Sequence, residues 1–306
     1  MSNNALKESY LYKVLASKVH QCMSKVNPRI EMRRAYKVGF NREPDFENPK
    51  DLIEKIFWLQ LNTDTTLWTK CADKYKMREY VSECGLSEYL PKLVGHWDTA
   101  EDLSIEGLPS SFILKTNHGC ETCFIVRDGQ CDIEEIKRVF KKWLSIPFGY
   151  SGGQLHYTHI KPCIIAEELL IPSEQDKKIS PKSLIDYKVY CFNGNPEAIW
   201  VAYNRIHGGV NMALYDLNWK AMPEKLVSGA YYKYNPDVSI PKPACLDEML
   251  NLASILSKPF PEVRCDFYVI NDRPYIGELT FTSGFPFFTQ EFYDYLGSKI
   301  VLPEKR

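Results

Sequence analysis

Apolar residues in the first third of the chain recur at the spacing of amphipathic helices. Residues 5–25 predict a helix with one apolar and one polar face. Its apolar positions are Leu11, Leu15, Val19 and Cys22. Pro28 is expected to end this helix, and a loop of sequence NREPDFENPKD precedes a second one. A third helical stretch is expected to start at Asp73 and to stop at Gly85.

From about Ser110 the pattern changes to short runs typical of β-strands. FILK, CFIVRDG and PCIIAEELLI are such runs, and the helix DIEEIKRVFKKWL lies between the second and the third. A second β-rich region begins at Asp186, where DYKVYCF and PEAIWVAY flank the hairpin signal Asn193-Gly194. A loop is expected to run to about Pro243, followed by the helix LDEMLNLASILS and two strands. This order of elements predicts an α+β fold.

Composition and charge narrow the class of protein. The chain has 306 residues, 44% apolar and 25% charged, as in ordinary globular proteins of more than one small core. A formal net charge of -1 provides no global field that would attract nucleic acid or an acidic membrane. No run approaches the roughly 20 apolar residues that span a bilayer, and the N-terminus lacks the pattern of a secretion signal. We therefore expect a cytoplasmic protein whose ten cysteines are reduced.

Cys120 and Cys123 have the spacing of a metal-binding pair. A closed zinc site needs four ligands, and the nearest further candidates are His118 and Cys131. Because the chain contains no second CxxC, we assign no metal to this pair.

The segment VRCDFYVINDRPYIGELTF has the alternation of a β-hairpin. Its turn, Asn271-Asp272-Arg273, is expected to centre on Asp272. That register places Asp266 opposite Glu278 and Arg264 opposite Thr280, while Ile276, Glu278 and Thr280 share one face.

Two carboxylates that face each other on paired strands destabilise the pair unless something neutralises them. A magnesium ion held by Asp266 and Glu278 would do so, with Arg264 beside bound phosphate. The alternative is a solvated face on which Arg264 neutralises one acid. A register slip of one residue would also separate the two acids.

Four upstream positions could contact a nucleotide. Lys115 ends an apolar strand before the turn TNHGC, and Glu167 and Glu168 interrupt the apolar strand CIIAEELLI. Such a strand can present backbone groups to an adenine while a glutamate binds ribose hydroxyls. Lys74 lies at a helix start, where it could contact phosphate. Each of these residues, taken alone, is also compatible with an ordinary surface position, and Lys188 could simply pair with Asp186.

The order of these positions, from the DK helix through the strand lysine and the EE strand to R-x-D and E-x-T, resembles that of the ATP-grasp superfamily. The segments ADKYKMREYV, FILKTNHG, IIAEELL, DYKVYCFNG and VRCDFYVINDRPYIGELTF are similar to those of the TupA-like ATP-grasp family, which is associated with teichuronopeptide and surface-polysaccharide synthesis. The resemblance extends from about Asn48 to Gly297.

The resemblance implies an ATP-grasp fold, in which two α+β lobes clasp ATP, with a mostly helical N-terminal segment. Residues 1–72 would form that segment and residues 73–306 the ATP-grasp domain. Within it, residues 111–166 would be the lid subdomain and residues 167–306 the C-terminal metal-binding lobe.

The resemblance also implies roles for individual residues. Lys115 would hold phosphate oxygens with help from Lys74, and residues 167–170 would lie against adenine. The nucleotide-binding residues of that strand are Glu167, Glu168, Leu169 and Leu170. Arg264 would stabilise the reacting acyl group, with Lys188 as the second catalytic candidate.

The implied metal ligands are Asp266, Glu278 and Thr280, which would bind Mg²⁺. This chain departs from the family pattern at two points. Thr280 stands where many superfamily members have asparagine. The lid loop is HGCETC rather than glycine-rich.

By this resemblance the protein would be an ADP-forming carboxylate–amine ligase that uses ATP and Mg²⁺. Its other substrates would be an amino acid or amine and a sugar, such as a uronic acid, an amino sugar, or a nucleotide-linked or lipid-linked glycan of a capsule or O-antigen. A phosphotransferase on the same fold is the second hypothesis. A non-catalytic glycan-binding protein is the third, because the chain is rich in Tyr and Trp. Residues 203–235 are expected to shape the acceptor pocket.

Overall fold

The structure, a computed structural model, describes residues 10–206 and 208–303, apart from the side chain of Leu11. Within that part of the chain the α-helices are α1 (Tyr10–Val26), α2 (Pro28–Phe40), α3 (Leu52–Asn62), α4 (Thr66–Ala72), α5 (Met77–Glu83), α6 (Ile133–Leu144), α7 (Glu174–Ile179), α8 (Leu246–Ser257) and α9 (Gln290–Ser298). The strands are β1 (Leu93–Trp97), β2 (Phe112–Thr116), β3 (Cys123–Val126), β4 (Ile164–Glu168), β5 (Asp186–Phe192), β6 (Asn195–Ile206), β7 (Gly209–Tyr215), β8 (Tyr232–Tyr234), β9 (Val263–Ile270) and β10 (Arg273–Thr280). The predicted α+β class is confirmed. None of the described helices combines the length and apolar character needed to cross a membrane.

The chain divides into two compact units. Unit 1 comprises the residues up to 44 together with 64–77 and 91–169, and unit 2 comprises 45–63, 78–90 and the residues from 170 onwards. This division into units is based on the packing of the chain and does not test the predicted domain bounds. Those bounds therefore stay predictions: a helical segment 1–72, an ATP-grasp domain 73–306, a lid 111–166 and a metal-binding lobe 167–306.

Unit 1 is built on a four-stranded antiparallel sheet in the order β1-β4-β2-β3. Helix α6 packs its apolar stripe on this sheet, where Ile136 and Phe140 are fully buried. Asp132 caps α6 because its carboxylate accepts hydrogen bonds from two backbone N–H groups of the first turn. The helix and the strands of the lid region therefore follow the sequence prediction.

Unit 2 contains a six-stranded sheet in the order β10-β9-β5-β6-β7-β8. All neighbouring strands are antiparallel except β7 and β8, which are parallel. The β5–β6 turn is Asn193-Gly194, and both residues have the positive φ that a tight hairpin requires. This sheet carries the candidate site described below.

Seven of the described elements were not predicted individually. They are strands β1, β7 and β8 and helices α2, α4, α7 and α9. The loop expected to reach Pro243 is wrong in part, because β7 is a strand with a buried middle and β8 pairs with it. Pro28 ends α1 as expected, yet it also occupies the first turn of α2, where its missing N–H costs nothing.

Helix α1 is confirmed over residues 10–25, and residues 5–9 of the prediction lie outside the described residues. Its orientation is unusual for an amphipathic helix. The apolar positions Leu15 and Val19 are each 56% exposed. The polar face packs instead, since Ser17 Oγ donates to the carbonyl oxygen of Pro147 at 2.7 Å and Ser24 is buried.

A buried carboxylate explains why the polar face of α1 turns inward. Glu31 on α2 is fully buried and bonds to His20 Nδ1 at 3.0 Å and to Arg34 at 2.8 Å. A buried carboxylate is stable only when it is paired, so α1 must present His20 to it. Satisfying Glu31 leaves the opposite, apolar face of α1 in solvent.

Candidate active site

One row of side chains crosses four strands of the unit 2 sheet. Glu278 on β10 faces Asp266 on β9, Asp266 faces Lys188 on β5, and Lys188 faces Trp200 on β6. Facing residues on paired strands project from the same face of a sheet, with Cβ atoms about 5 Å apart. The fold thus collects two acids, a lysine and an indole from positions up to 90 residues apart in sequence.

The predicted pairing of Asp266 with Glu278 and of Arg264 with Thr280 is confirmed, but the reason given for it is wrong. The turn consists of Asn271 and Asp272 only, both with positive φ. Arg273 already belongs to β10 and pairs with Ile270.

The shorter turn shifts the pairing by one residue, and a β-bulge at Gly277 shifts it back, so that Glu278 faces Asp266 as predicted. Ile276 faces Phe267 in the core, and one residue is skipped before Glu278 faces Asp266. Ile276 is therefore on the opposite face from Glu278, contrary to the prediction, and is buried. A side chain at Gly277 would meet the Tyr268 ring at 3.0 Å, so the bulge favours glycine.

Asp266 is the centre of the contacts in this row. Arg264 Nε donates to Asp266 Oδ1 at 2.6 Å and Arg264 Nη2 donates to Oδ2 at 2.7 Å, which is a bidentate pair. Lys188 Nζ donates to Oδ2 at 2.6 Å. Arg264 also donates to Thr280 Oγ1 at 3.2 Å and lies 3.8 Å from Glu278 Oε1.

Burial makes these charges strongly interdependent. The side chains of Arg264, Asp266 and Lys188 are 7%, 4% and 6% exposed, whereas that of Glu278 is 34% exposed. Burial raises the pKa of Asp266, and the neighbouring Arg264 and Lys188 oppose that rise. Burial favours the neutral form of Lys188, but Asp186 and Asp266 outweigh it and raise its pKa. Glu278 is thus the acid of the row that is most open to a ligand.

The predicted magnesium ligands fit a hard cation. Asp266, Glu278 and Thr280 offer carboxylate and hydroxyl oxygens, the donors that Mg²⁺ prefers. Thr280 Oγ1 lies 3.5 Å from Glu278 Oε1. Within residues 10–206 and 208–303, no group of three or more His, Cys, Asp or Glu side chains is arranged to hold a metal. A site of two carboxylates matches Mg²⁺, which completes its coordination with water and phosphate.

A metal at Asp266 would have to displace a cation. Both carboxylate oxygens of Asp266 already accept from Arg264 or Lys188. Trp200 borders these cations, since its ring centroid lies 5.8 Å from Arg264 Cζ and 6.0 Å from Lys188 Nζ. Its ring stacks on Phe287 at 4.4 Å, so this wall of the site is rigid and apolar.

The charged row extends through the pairing of Lys188 with Asp186, which the sequence suggested, to Arg205 and Tyr231, which it did not. Asp186 lies 3.7 Å from Lys188 Nζ and 3.4 Å from Arg205 Nη2, and Arg205 Nη1 donates to Tyr231 Oη at 3.2 Å. Followed from contact to contact, the charges alternate in sign in the order Glu278, Arg264, Asp266, Lys188, Asp186, Arg205. Arg205 and Tyr231 fall in residues 203–235, the segment expected to shape an acceptor pocket, but the contact between them had no signal in the sequence.

Glu262 is a second missed residue. It is fully buried, and neither carboxylate oxygen has a hydrogen-bond partner among the described residues. Burial raises its pKa well above the ordinary 4.5, although the charge of Arg264 opposes this. An acidic residue two positions before Arg264 has the same alternation as Asp266 two positions after it, and that spacing was the available signal.

In unit 1, the structure brings together two of the predicted nucleotide-binding residues. Lys115 Nζ donates to Glu167 Oε2 at 2.7 Å, and these side chains are 18% and 8% exposed. They lie on the adjacent antiparallel strands β2 and β4. Glu168 points elsewhere, since its carboxylate accepts from the backbone N–H of Lys92 at 2.8 Å.

The remaining predicted nucleotide residues have separate positions. Lys74 Nζ donates to the Gly119 carbonyl oxygen at 3.0 Å, beside the turn that follows β2. His118 in that turn is buried, and burial next to Lys74 lowers its pKa to about 4. Leu169 ends unit 1, whereas Leu170 begins the longest segment of unit 2, and both are half-buried. Cys120 and Cys123 are exposed.

A separate cavity of about 430 Å³ in unit 2 involves none of the individually predicted site residues, although five of its lining residues fall in segment 203–235, which was expected to shape the acceptor pocket. It is lined by Glu197, Asp216, Leu217, Asn218, Met222, Lys225, Glu291, Phe292 and Tyr295. Its charged groups are largely paired with one another or with neighbours, as Lys225 is with Glu291 at 3.1 Å. We therefore centre the candidate site on the charged row.

Comparison with known proteins supports the predicted family. A family model described as TupA-like ATPgrasp matches residues 54–301, which include every predicted site residue. The predicted ATP-grasp relationship and fold are thereby confirmed. No curated protein sequence matches the chain significantly.

Several solved structures resemble the chain loosely. D-alanine–D-alanine ligase from Bacillus anthracis has 17% identity and a TM-score of 0.45, with 77% of this chain and 66% of that chain covered. The ATP-grasp ligase PsnB with its minimal precursor has 12% identity and a TM-score of 0.44, with 78% and 61% covered. L-amino acid ligase from Bacillus licheniformis has 15% identity and a TM-score of 0.38, with 71% and 44% covered. The chain spans less than two thirds of the length of each.

Proposed function

Because the chain belongs to the TupA-like ATP-grasp family, we propose that it is an ATP- and Mg²⁺-dependent ligase that joins a carboxylate to an amine. The observation that supports this most directly is the cross-strand pair Asp266 and Glu278, with Arg264 and Lys188 on the same sheet face. A pair of acids next to two cations can hold a metal–phosphate group and neutralise the charge that moves during phosphoryl transfer.

The proposed reaction has two steps. A carboxylate oxygen of the first substrate attacks the γ-phosphorus of ATP, and ADP leaves. The amine nitrogen of the second substrate then attacks the acyl carbon, phosphate leaves, and the nitrogen loses a proton. Both steps develop negative charge on oxygen, which buried cations stabilise strongly.

Individual residues have distinct proposed roles. Mg²⁺ held by Asp266 and Glu278 would supply positive charge to the phosphates. Arg264 is well placed to face the acyl oxygen, because its guanidinium is fixed by Asp266, Thr280 and Ser283. Lys188 carries the second positive charge of the row. Thr280 assists Glu278 as a weaker oxygen ligand.

In unit 1, we assign nucleotide contacts to Lys115 and Glu167. Their pairing at 2.7 Å orients the lysine side chain. Lys74 assists from the turn after β2, and residues 167–170 contribute backbone groups for the adenine. The cytoplasm supplies ATP, so we place the reaction there.

For the substrates, we propose an amino acid or amine and a sugar carboxylate or amino sugar of a surface polysaccharide. The support is the association of the family with such polymers. Arg205, beside Asp186 and Tyr231, is a polar group in the segment proposed to bind the acceptor.

A screen of ADP release tests the proposal. The chain would be mixed with Mg·ATP, single amino acids, and uronic acids or nucleotide-linked sugars, and products would be identified by mass spectrometry. We expect an amide, ADP and free phosphate in equal amounts. A phosphorylated sugar without free phosphate would establish the phosphotransferase instead.

Matched variants separate catalysis from simple glycan binding. Glu278→Gln is expected to lower turnover by roughly 100-fold or more, the scale of losing one charge-stabilising group. Asp237→Asn, an exposed acid outside the row, is the control. If calorimetry shows no Mg²⁺-dependent ATP binding, and Glu278→Gln and Asp266→Asn behave like the parent, the result contradicts the ligase and favours the glycan-binding hypothesis.

A further inference from the structure

Helix α1 exposes a continuous apolar stripe. Its members are Tyr12, Leu15, Val19, Cys22 and Val26, which we call the outer stripe. At 3.6 residues per turn these positions lie within about 80° of arc along the whole helix. Leu15 and Val19 are 56% exposed and Val26 is 82% exposed. Single exposed apolar residues are common, whereas an aligned series on one helix marks an interaction surface.

Basic side chains border the outer stripe on one edge. Lys18 and Lys25 are exposed along that edge, whereas Lys13 is exposed on the opposite face of α1. Helices α1 and α2 together carry seven Lys and Arg against the single acid Glu31, a formal charge of +6. The rest of the chain must carry -7, since the total is -1. Part of the charge of α2 is neutralised, since Arg34 pairs with Glu31, and Arg33 and Lys37 pair with Glu43 just beyond the helix.

The packing of the opposite face of α1 keeps the outer stripe exposed to solvent. His20 is tied to Glu31 at 3.0 Å and Ser17 to the Pro147 carbonyl oxygen at 2.7 Å, both on the opposite face. Turning the apolar residues inward would break these bonds and leave Glu31 buried with one partner fewer. The exposure of the outer stripe is therefore built into unit 1.

We propose that the outer stripe and its lysines form a binding surface for the anionic headgroups and outer acyl chains of a lipid bilayer. A helix with an apolar face edged by lysines lies in the plane of the membrane interface, where aliphatic side chains insert and lysine ammonium groups reach phosphates. The cluster of basic residues adds electrostatic attraction to anionic lipid. Peripheral attachment of this kind requires no membrane-spanning helix.

A second copy of the chain fits this surface less well. Two outer stripes in contact would also bring together the two sets of lysines that edge them. Such like charges destabilise an association that apolar contact would favour. The charge of this surface thus selects an anionic partner.

Vesicle co-sedimentation of the full chain tests the proposal. We expect binding to mixed phosphatidylglycerol–phosphatidylcholine vesicles and much weaker binding to pure phosphatidylcholine. At an ionic strength of about 1 M, where the screening length falls to roughly 3 Å, the binding should decline strongly. Equal binding to both kinds of vesicle, or to neither, would overturn the proposal.

Two sets of variants identify the surface. Lys18→Gln and Lys25→Gln combined should lower the partition constant roughly 10- to 100-fold. The matched control combines Lys178→Gln and Lys182→Gln, which are also exposed lysines. A control that weakens binding as much as the α1 lysine variant would contradict a role for α1.

The double variant Leu15→Ser, Val19→Ser tests the contribution of the outer stripe. We expect it to bind vesicles at least about tenfold more weakly than the parent. Val301→Ser, at a position 79% exposed, is the control. Circular dichroism checks that α1 is retained. Sedimentation analysis without lipid is run in parallel. A dimer that Leu15→Ser and Val19→Ser dissociate, with no vesicle binding, would show that the partner is a second copy and would overturn the proposal.

Discussion

The two charged clusters differ in depth and in the number of partners that each carboxylate has. In unit 1, Lys115 and Glu167 form a close pair on neighbouring strands, with the lysine 18% exposed. In unit 2, Asp266 accepts three hydrogen bonds from Arg264 and Lys188, and all three side chains are at most 7% exposed. A partly open pair can exchange its partner for a ligand at small cost, whereas a buried network must be rebuilt around it.

The difference suggests a division of work under the proposed function. The unit 1 pair resembles a holding site, in which a phosphate can compete with Glu167 for Lys115. The unit 2 row is preorganised, since its cations are already fixed where charge would develop. Glu278, the most open acid of the row, is the natural point of entry for a metal.

The largest expected effect is that of Arg264→Met. It removes two of the three hydrogen bonds to Asp266 and leaves a buried carboxylate with Lys188 alone. Breaking a buried ion network in this way should lower the free energy of unfolding by about 3–5 kcal/mol. Urea denaturation measures it.

The control for Arg264→Met is Lys177→Met, which removes an exposed pair of unit 2 with Glu174. Surface pairs contribute about 0–1 kcal/mol, so the control should remain near the parent. Equal losses in the two variants would mean that burial does not distinguish the row from an ordinary surface pair.

Acid should affect unit 1 through His156. Burial lowers the pKa of this imidazole from 6.5 to about 3, so the unfolded state takes up the proton first. Stability is therefore lost as the pH falls below 6.5, by about 2 kcal/mol at about pH 5. His156→Phe keeps a ring against Trp68 and Tyr157 and should remove this loss.

Urea denaturation of His156→Phe between pH 7 and about pH 5 measures how steeply the free energy of unfolding depends on pH. Tyr157→Phe changes the neighbouring ring while keeping the imidazole, and should retain the slope of the parent. A parent-like slope in His156→Phe would assign the acid sensitivity to other groups, among them His118, whose pKa is also lowered, to about 4.

A rise in pH should lower the stability of unit 2 through Glu262, whereas a fall in pH lowers that of unit 1 through His156. Because burial raises its pKa in the folded state, the proton stabilises the fold fully below the ordinary value of 4.5. That contribution declines as the pH rises toward the folded-state pKa. Glu262→Leu removes a buried carboxyl that has no hydrogen-bond partner among the described residues, and it should stabilise the fold by about 1–2 kcal/mol at neutral pH.

The advantage of Glu262→Leu should grow as the pH rises from 5 to about 8, as thermal denaturation would show. Glu262→Gln separates shape from charge, since it replaces the carboxyl by an amide of similar shape that cannot ionise. If the gain of Glu262→Leu were independent of pH, the carboxyl would not titrate on unfolding as described.

The sequence predicts this site to the extent that its information is local. Alternation within one segment was enough to place Asp266 and Glu278 on one face, because both belong to the same hairpin. The pairing was right although the turn was wrong, since the shorter turn and the bulge at Gly277 compensate each other. Lys188 was one of the candidate catalytic residues, but its bond to Asp266 depends on β5 and β9 being neighbours.

Contacts between residues on different elements could not be predicted from the sequence. The contact of Asp186 with Arg205 needs the β5–β6 pairing together with a favourable side-chain conformation, and neither leaves a periodic pattern. The outward face of α1 is the clearest case, because periodicity gives the two faces of a helix without telling which one is buried. The buried acid Glu31, on a different helix, decides that.

The smallest expected loss of stability is that of Lys115→Met, which breaks the unit 1 pair of Lys115 and Glu167. Glu167 would lose its cation, yet the partial exposure of the pair limits the expected loss to about 1 kcal/mol. Lys161→Met, which removes a more exposed pair with Asp98 in the same unit, should cost less. The comparison of the two clusters holds if urea denaturation ranks Arg264→Met well above Lys115→Met, while both lose ATP turnover. If Lys115→Met were as destabilising as Arg264→Met, the unit 1 pair would be a structural ion pair rather than a site held ready for phosphate.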